Sequence, residues 1–135
     1  MIYKDIIKLN STKRIEIIDI SSKVQLAINE SKISNGIINI FSKHSTSAIV
    51  VNENEKGLLS DFERILNDLI PNNNSYKHDM IDNNADSHLR SFFLGSNESI
   101  PITNKKLAIG TWQSIFFIEL DGPRNNRTIE LTILK

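Results

Sequence analysis

The sequence predicts an α+β fold on a largely antiparallel sheet. Three observations predict it. Strand-like segments open and close the chain, with helical periodicity between them. Trp112 to Leu120 is apolar on both alternating faces, as in a central strand covered on both sides. Arg127 to Leu134 alternates strictly, with Ile129, Leu131 and Ile133 inward and Thr128, Glu130 and Thr132 outward.

The elements follow in order. Ile2 to Leu9 and Thr12 to Ile20 are rich in Ile and split by Asn10-Ser11, which predicts two strands joined by a tight hairpin. Ser22-Lys23-Val24-Gln25 fits a capping box, and Val24, Ala27, Ile28 and Ser31 share one face of a short helix that Asn35-Gly36 stops. Ile37 to Ser42 and Ser47 to Val51 read as strands around the polar turn Lys43-His44-Ser45-Thr46. Asn54 to Ile70 is the clearest helix: Leu58, Phe62, Ile65 and Leu69 form its apolar stripe and Pro71 ends it. Tyr76 to Asn84 has no period. Ala85 to Leu94 forms a short helix stopped by Gly95, with His88 and Phe92 on one side. Ser99 to Thr103 and Lys106 to Ile109 are strands about an Asn104-Lys105 turn, and the central strand follows.

Composition bounds the function. At 135 residues the chain has the size of a single domain, 1–135. Lys plus Arg (16) equals Asp plus Glu (16), which argues against a general nucleic-acid binder. With no Cys, disulfides, thiolate metal sites and Cys nucleophiles are excluded. No apolar run approaches a membrane span and no signal-peptide layout opens the chain, so a soluble cytoplasmic protein is expected.

Candidate chemistry gathers at the ends of elements. His44, His78 and His88 each lie in small polar company, where imidazoles serve as proton carriers or metal ligands, or simply as surface groups. Their spacing is not that of a helical zinc motif. His44-Ser45-Thr46-Ser47 can bond a phosphate, or its own backbone in a strand-linking turn. Asn52-Glu53-Asn54 opens the long helix, as a cap or as an anion-facing N-terminus that Glu53 opposes. Asp79, Asp82 and Asp86 flank His78 and His88, and can orient an imidazole, share a divalent ion, or form an acidic loop. The central strand carries Gly110-Thr111 and Gln113 at one end and Asp121-Gly122-Pro123-Arg124 at the other. Gln113 is the better polar candidate there, Trp112 a core residue, and Arg124 a clamp for phosphate or a surface salt bridge.

Taken together, these stretches resemble one family. His44-Ser45-Thr46-Ser47-Ala48-Ile49-Val50-Val51-Asn52-Glu53-Asn54, Tyr76-Lys77-His78, Asp86-Ser87-His88-Leu89-Arg90-Ser91, Leu94-Gly95-Ser96, Gly110-Thr111-Trp112-Gln113 and Asp121-Gly122-Pro123-Arg124 occur in the order of the YjbQ-like family, the secondary thiamine-phosphate synthases. The resemblance covers almost the whole chain. It departs where Ser45 stands for the usual Thr after the first His, and Ser87 for the usual Ala before the last.

The resemblance implies a two-sheet β-sandwich of about seven mostly antiparallel strands with two or three helices, trimerising through its sheets. It implies a pocket in which His44, His78 and His88 act in catalysis or hold a divalent ion such as Zn²⁺ or Mg²⁺. Ser45, Thr46, Asn52, Glu53, Asp86, Thr111, Trp112, Gln113 and Arg124 would meet a phosphorylated small molecule. The associated secondary activity joins a pyrimidine diphosphate to a thiazole phosphate and releases pyrophosphate. The competing expectation is a non-catalytic trimer that binds a metal ion or an anion at the same pocket.

Overall fold

The computed structural model describes Met1–Lys135 as two antiparallel sheets and three α-helices. In order these are β1 (Ile2–Leu9), β2 (Glu16–Asp19), α1 (Ser21–Ser31), β3 (Gly36–Ser42), β4 (Ser47–Asn52), α2 (Lys56–Leu69), α3 (Ala85–Leu94), β5 (Asn97–Thr103), β6 (Lys106–Leu107), β7 (Ser114–Glu119) and β8 (Arg127–Leu134). A 3₁₀ turn at Lys77–Met80 precedes α3. The larger sheet runs β1-β8-β3-β5-β6 and the smaller β2-β7-β4. This is the expected α+β, two-sheet architecture, with the two-residue β6 as an eighth strand. No helix is long and apolar enough to cross a membrane.

The core follows from the alternation. Ile7, Ile38, Ile40, Ile100, Ile129, Leu131 and Ile133 line the inner face of the larger sheet. They pack on Ile49, Ile115 and Phe117 of the smaller sheet and on Val24, Ala27 and Ile28 of α1. The other face of the smaller sheet carries Ala48, Phe116, Ile118 and Leu120, covered by Leu59, Phe62 and Leu66 of α2 and Leu94 of α3. So β7 is apolar on both faces because both are covered. The outer face of the larger sheet has no helix on it, and Ile2, Ile6, Ile37, Phe41 and Leu134 stand exposed there.

The expected hairpin between β1 and β2 does not form. β1 pairs with β8, from Ile2 opposite Leu134 to Leu9 opposite Arg127, while β2 pairs with β7 in the other sheet. The cause lies at Ser11, which is buried. Its N–H donates to Arg124 O at 2.8 Å and its hydroxyl to Glu119 Oε1 at 2.7 Å, so the chain crosses from one sheet to the other beside the Asp121–Arg124 turn. Gly122 permits that closeness, since a Cβ there would sit 2.0 Å from Lys13 O.

Helix ends also differ from expectation. The Ser22–Gln25 box is not made: α1 begins at Ser21, the Ser21 hydroxyl accepts from Ile115 N at 2.8 Å, and Gln25 bonds Lys105 O and Leu107 N. Left-handed Lys32 (φ 60°) closes α1 before Asn35-Gly36 is reached. α2 is capped by Glu55, whose carboxylate accepts from Gly57 N at 2.6 Å and Leu58 N at 2.9 Å, and not by Asn54. Those two bonds hold the Glu55 carboxyl below its usual range.

α3 is turned polar side in. Asp86, Ser87 and Arg90 are buried, whereas Phe92 and Phe93 are 84% and 81% exposed. Ser87 and Ser91, one turn apart, donate to Leu120 O and Ser47 O, which pins the helix across the ends of β7 and β4. Trp112 departs from the expected core position. β7 starts only at Ser114, and Trp112 stands in the preceding turn, 74% exposed.

Candidate functional site

α3 and the turn between β3 and β4 enclose an open cleft of about 520 Å³. Its polar lining is Ser42, Lys43, His44, Ser45, His88, Ser91 and Ser96, with no carboxylate among them. Phe41 and Phe92 form its apolar walls. A second, adjoining cavity shares His88 and Phe92 and adds Tyr76, Lys77 and His78. The His78 and His88 rings meet edge to face with centroids 4.8 Å apart. One run of surface thus carries all three imidazoles, with His88 in the middle.

Each outer imidazole is held by one hydrogen bond, His44 to the backbone and His78 to a side chain. His44 Nε2 accepts the Thr128 N–H at 2.8 Å. Burial lowers the His44 pKa, and the nearby Arg127 guanidinium lowers it further against an opposing pull from Glu119. The N–H at Nε2 and the lowered pKa both favour the neutral ring. His78 Nε2 lies 3.1 Å from Asn84 Oδ1, and Asn84 Nδ2 donates to Asp121 Oδ2 at 2.8 Å.

Behind the cleft lies a buried charge network. Glu119, fully buried, receives Arg127 Nε on Oε1 at 2.8 Å, Arg127 Nη2 on Oε2, and the Ser11 hydroxyl. Burial pushes the Glu119 carboxyl up, but the bonds from Arg127, Ser11 and Asp121 N outweigh it and the pKa falls. Asp121 behaves alike: burial raises it, while Asn84, Arg124 and Arg14 bring it down. Asp86 pairs with Arg14 at 2.9 Å and with Arg90 at 3.0 Å.

These contacts sort the expected site residues. His44, Ser45 and His88 line the main cleft, and His78 adjoins it. Arg124, half exposed, bonds Asp121 at 2.8 Å and so joins His78 through Asn84. Thr46 does not face a ligand: it is buried and its hydroxyl accepts from Arg127 at 3.0 Å. Asp86 is likewise consumed by its two arginines. Asn52 and Glu53 lie at the rim of an apolar groove between α2 and the smaller sheet, away from the imidazoles. Thr111, Trp112 and Gln113 sit before Ser114, whereas Glu119 and the His44 turn lie at the far end of β7. A strand of that length separates the two ends by roughly 17 Å, so one chain does not bring Gln113 to the imidazoles.

The three imidazoles of one chain do not by themselves close a metal site. No three His, Asp or Glu side chains gather in a ligating set. The Nε2 atoms of His44 and His78 are already engaged by Thr128 and Asn84.

Arg14, Asn84, Glu119 and Arg127 escaped the sequence reading. For two of them a signal existed. Arg127 has the parity of Ile129 and Leu131, and Glu119 that of Ile115 and Phe117, so opposite charges stand on inner faces. Asn84 ends a stretch without a period, and Arg14 stands near the start of the expected second strand with nothing to mark it as buried-network chemistry.

A family model described as UPF0047 protein YjbQ-like matches residues 5–135. A UPF0047 protein of Methanothermobacter thermautotrophicus is 53% identical over 126 residues, covering 93% of this chain and 88% of that protein. UPF0047 protein YugU of Bacillus subtilis is 34% identical, covering 87% and 89%. Among solved structures, a YbjQ-like protein of unknown function from Sulfolobus solfataricus superposes with a TM-score of 0.96 at 42% identity, covering 98% of this chain and 96% of that one.

Proposed function

The chain belongs to the YjbQ-like family, and from that premise we propose that it is a small-molecule enzyme acting on phosphorylated substrates, with secondary thiamine-phosphate synthase activity. The observation that carries the reading is the cleft itself: Lys43, His44, Ser45 and His88 around about 520 Å³ with no carboxylate in the wall. Such a lining suits an anion. In the reaction a thiazole nitrogen attacks the pyrimidine methylene, the C–N bond forms, and the C–O bond breaks to release pyrophosphate. Negative charge grows on the leaving group, so hydrogen-bond donors must face it. The N–H of His44 and the hydroxyl of Ser45 take that part, and Arg124 holds a substrate phosphate equally before and during transfer. No protein nucleophile is required.

The same reading includes a homotrimer. The exposed Phe92 and Phe93 on α3, and the uncovered face of the larger sheet, favour burial against further copies. A neighbouring copy then supplies Thr111, Trp112 and Gln113, which one chain leaves remote from its own imidazoles. A reducing, cytoplasmic setting completes the reading and rests on the lack of Cys.

A non-catalytic anion-binding protein is the second reading. It is favoured by the Thr128 N–H, which occupies Nε2 of His44 and so opposes its protonation. Incubating purified protein with the two phosphorylated precursors decides between them. Product accumulating beyond one equivalent per chain supports the enzyme, and saturable pyrophosphate binding without product supports the binding protein.

A further inference from the structure

The hydrogen bonds at the two outer imidazoles fix their protons on opposite nitrogens. A backbone N–H can only donate, so the Thr128 N–H at 2.8 Å requires a bare His44 Nε2. The neutral ring must then carry its proton on Nδ1. At His78 the logic runs through two links. The Asp121 carboxylate can only accept, being ionised and tied to Arg124 Nη2 at 2.8 Å, so the amide nitrogen of Asn84 faces it and the amide oxygen faces His78. That oxygen, 3.1 Å from His78 Nε2, requires a proton on Nε2 and leaves Nδ1 bare. Neither Nδ1 atom has a partner within the chain, and both rings border the surface centred on His88.

We propose that the cleft and the cavity adjoining it present one N–H donor, His44 Nδ1, and one lone pair, His78 Nδ1, and that Asn84 and Asp121 are positioning residues that set the second. The pairing selects a ligand with both an acceptor and a donor: a phosphate ester whose body also carries an amino or hydroxyl group. An anion without a donor engages the His44 side alone. This deepens the anion-binding reading and rests on it for the identity of the ligand, but the proton positions belong to the free protein.

Long-range ¹H–¹⁵N correlation on ¹⁵N-histidine protein, at mildly alkaline pH where imidazole is neutral, reads them directly. His44→Gln and His78→Gln spectra assign the rings. The expected result is a pyridine-type shift at Nε2 of His44 and at Nδ1 of His78. In Asn84→Ala, His78 should relax to the mixed tautomers of free histidine while His44 keeps its pattern. A pyridine-type Nε2 at His78 in the parent protein overturns the proposal, as does a His78 pattern that Asn84→Ala leaves in place. The parent spectrum decides even if the Asn84 variant fails to fold. Absence of turnover would remove the enzyme reading and leave these spectra as they are.

Discussion

Glu119 at the end of β7 and Arg127 at the start of β8 form a two-point ion pair that joins the smaller sheet to the larger one. Arg127 Nε meets Oε1 at 2.8 Å and Nη2 meets Oε2, with both side chains out of solvent. Arg127 Nη2 also holds the Thr46 hydroxyl. The charge pair therefore fixes the turn from which His44 projects.

Removing one partner leaves a buried charge alone. Glu119→Gln and Arg127→Met should each lower stability by about 3–5 kcal/mol, read from urea midpoints. The double replacement Glu119→Leu with Arg127→Leu should lose less than either single change, because neither charge remains. Equal losses in all three would contradict the pairing.

Acid should unfold the protein in two stages. The His44 pKa is lowered on folding, so the unfolded chain takes up a proton that the native state refuses, and stability declines as pH falls below the ordinary value of 6.5. Glu119 and Asp121 are also lowered. Their contribution is complete above the ordinary values of 4.5 and 3.8 and is lost as pH falls through the lower native ones. Urea midpoints across a pH series should show both declines, and His44→Gln should flatten only the first.

Replacing His44 tests the chemistry. His44→Ala should lower turnover of the two precursors by about a hundredfold or more if the imidazole donates to the departing pyrophosphate in the transition state. Arg124→Ala should raise KM more than it lowers kcat, since a half-exposed guanidinium holds ground and transition states alike. Parent-like rates in His44→Ala would leave the imidazole with no part in transfer.

Assembly is open to a mass measurement. Light scattering at micromolar concentration should give three chains per particle, and Phe92→Asp with Phe93→Asp should shift the mass toward one chain. A parent protein that stays at one chain would refute the trimer.

The strand segments and α2 were legible because alternation and helical period report on element type, but the expected stripe of α2 was rotated: Leu59, Phe62 and Leu66 face the sheet, while Leu58, Ile65 and Leu69 stand exposed. The hairpin was misread because Asn10-Ser11 has turn chemistry, while the partner that captures Ser11 lies more than a hundred residues away at Glu119 and Arg124. Trp112 was misread by parity: it shares the face of Phe116 but falls outside the strand. At the site, His44 and His88 announced themselves as residue types. Asn84, which sets the proton of His78, is an unremarkable amide until the Asp121 carboxylate is brought beside it.

The placement of β8 between β1 and β3 bears on how the molecule is made. β1 has no neighbour except β8, more than a hundred residues later in the chain, so its whole ladder, Ile2 to Leu9, is long-range. On the ribosome that strand waits on the order of ten seconds for residues 127–134, with Ile2, Ile6 and Ile7 uncovered and both edges unpaired. In a test tube the same dependence makes closure of the larger sheet a late event in the millisecond-to-second range of β-rich chains. Loss of β8 leaves β1 without a partner and opens one edge of β3, so shortening the chain by β8 should yield an aggregating product in place of a smaller fold.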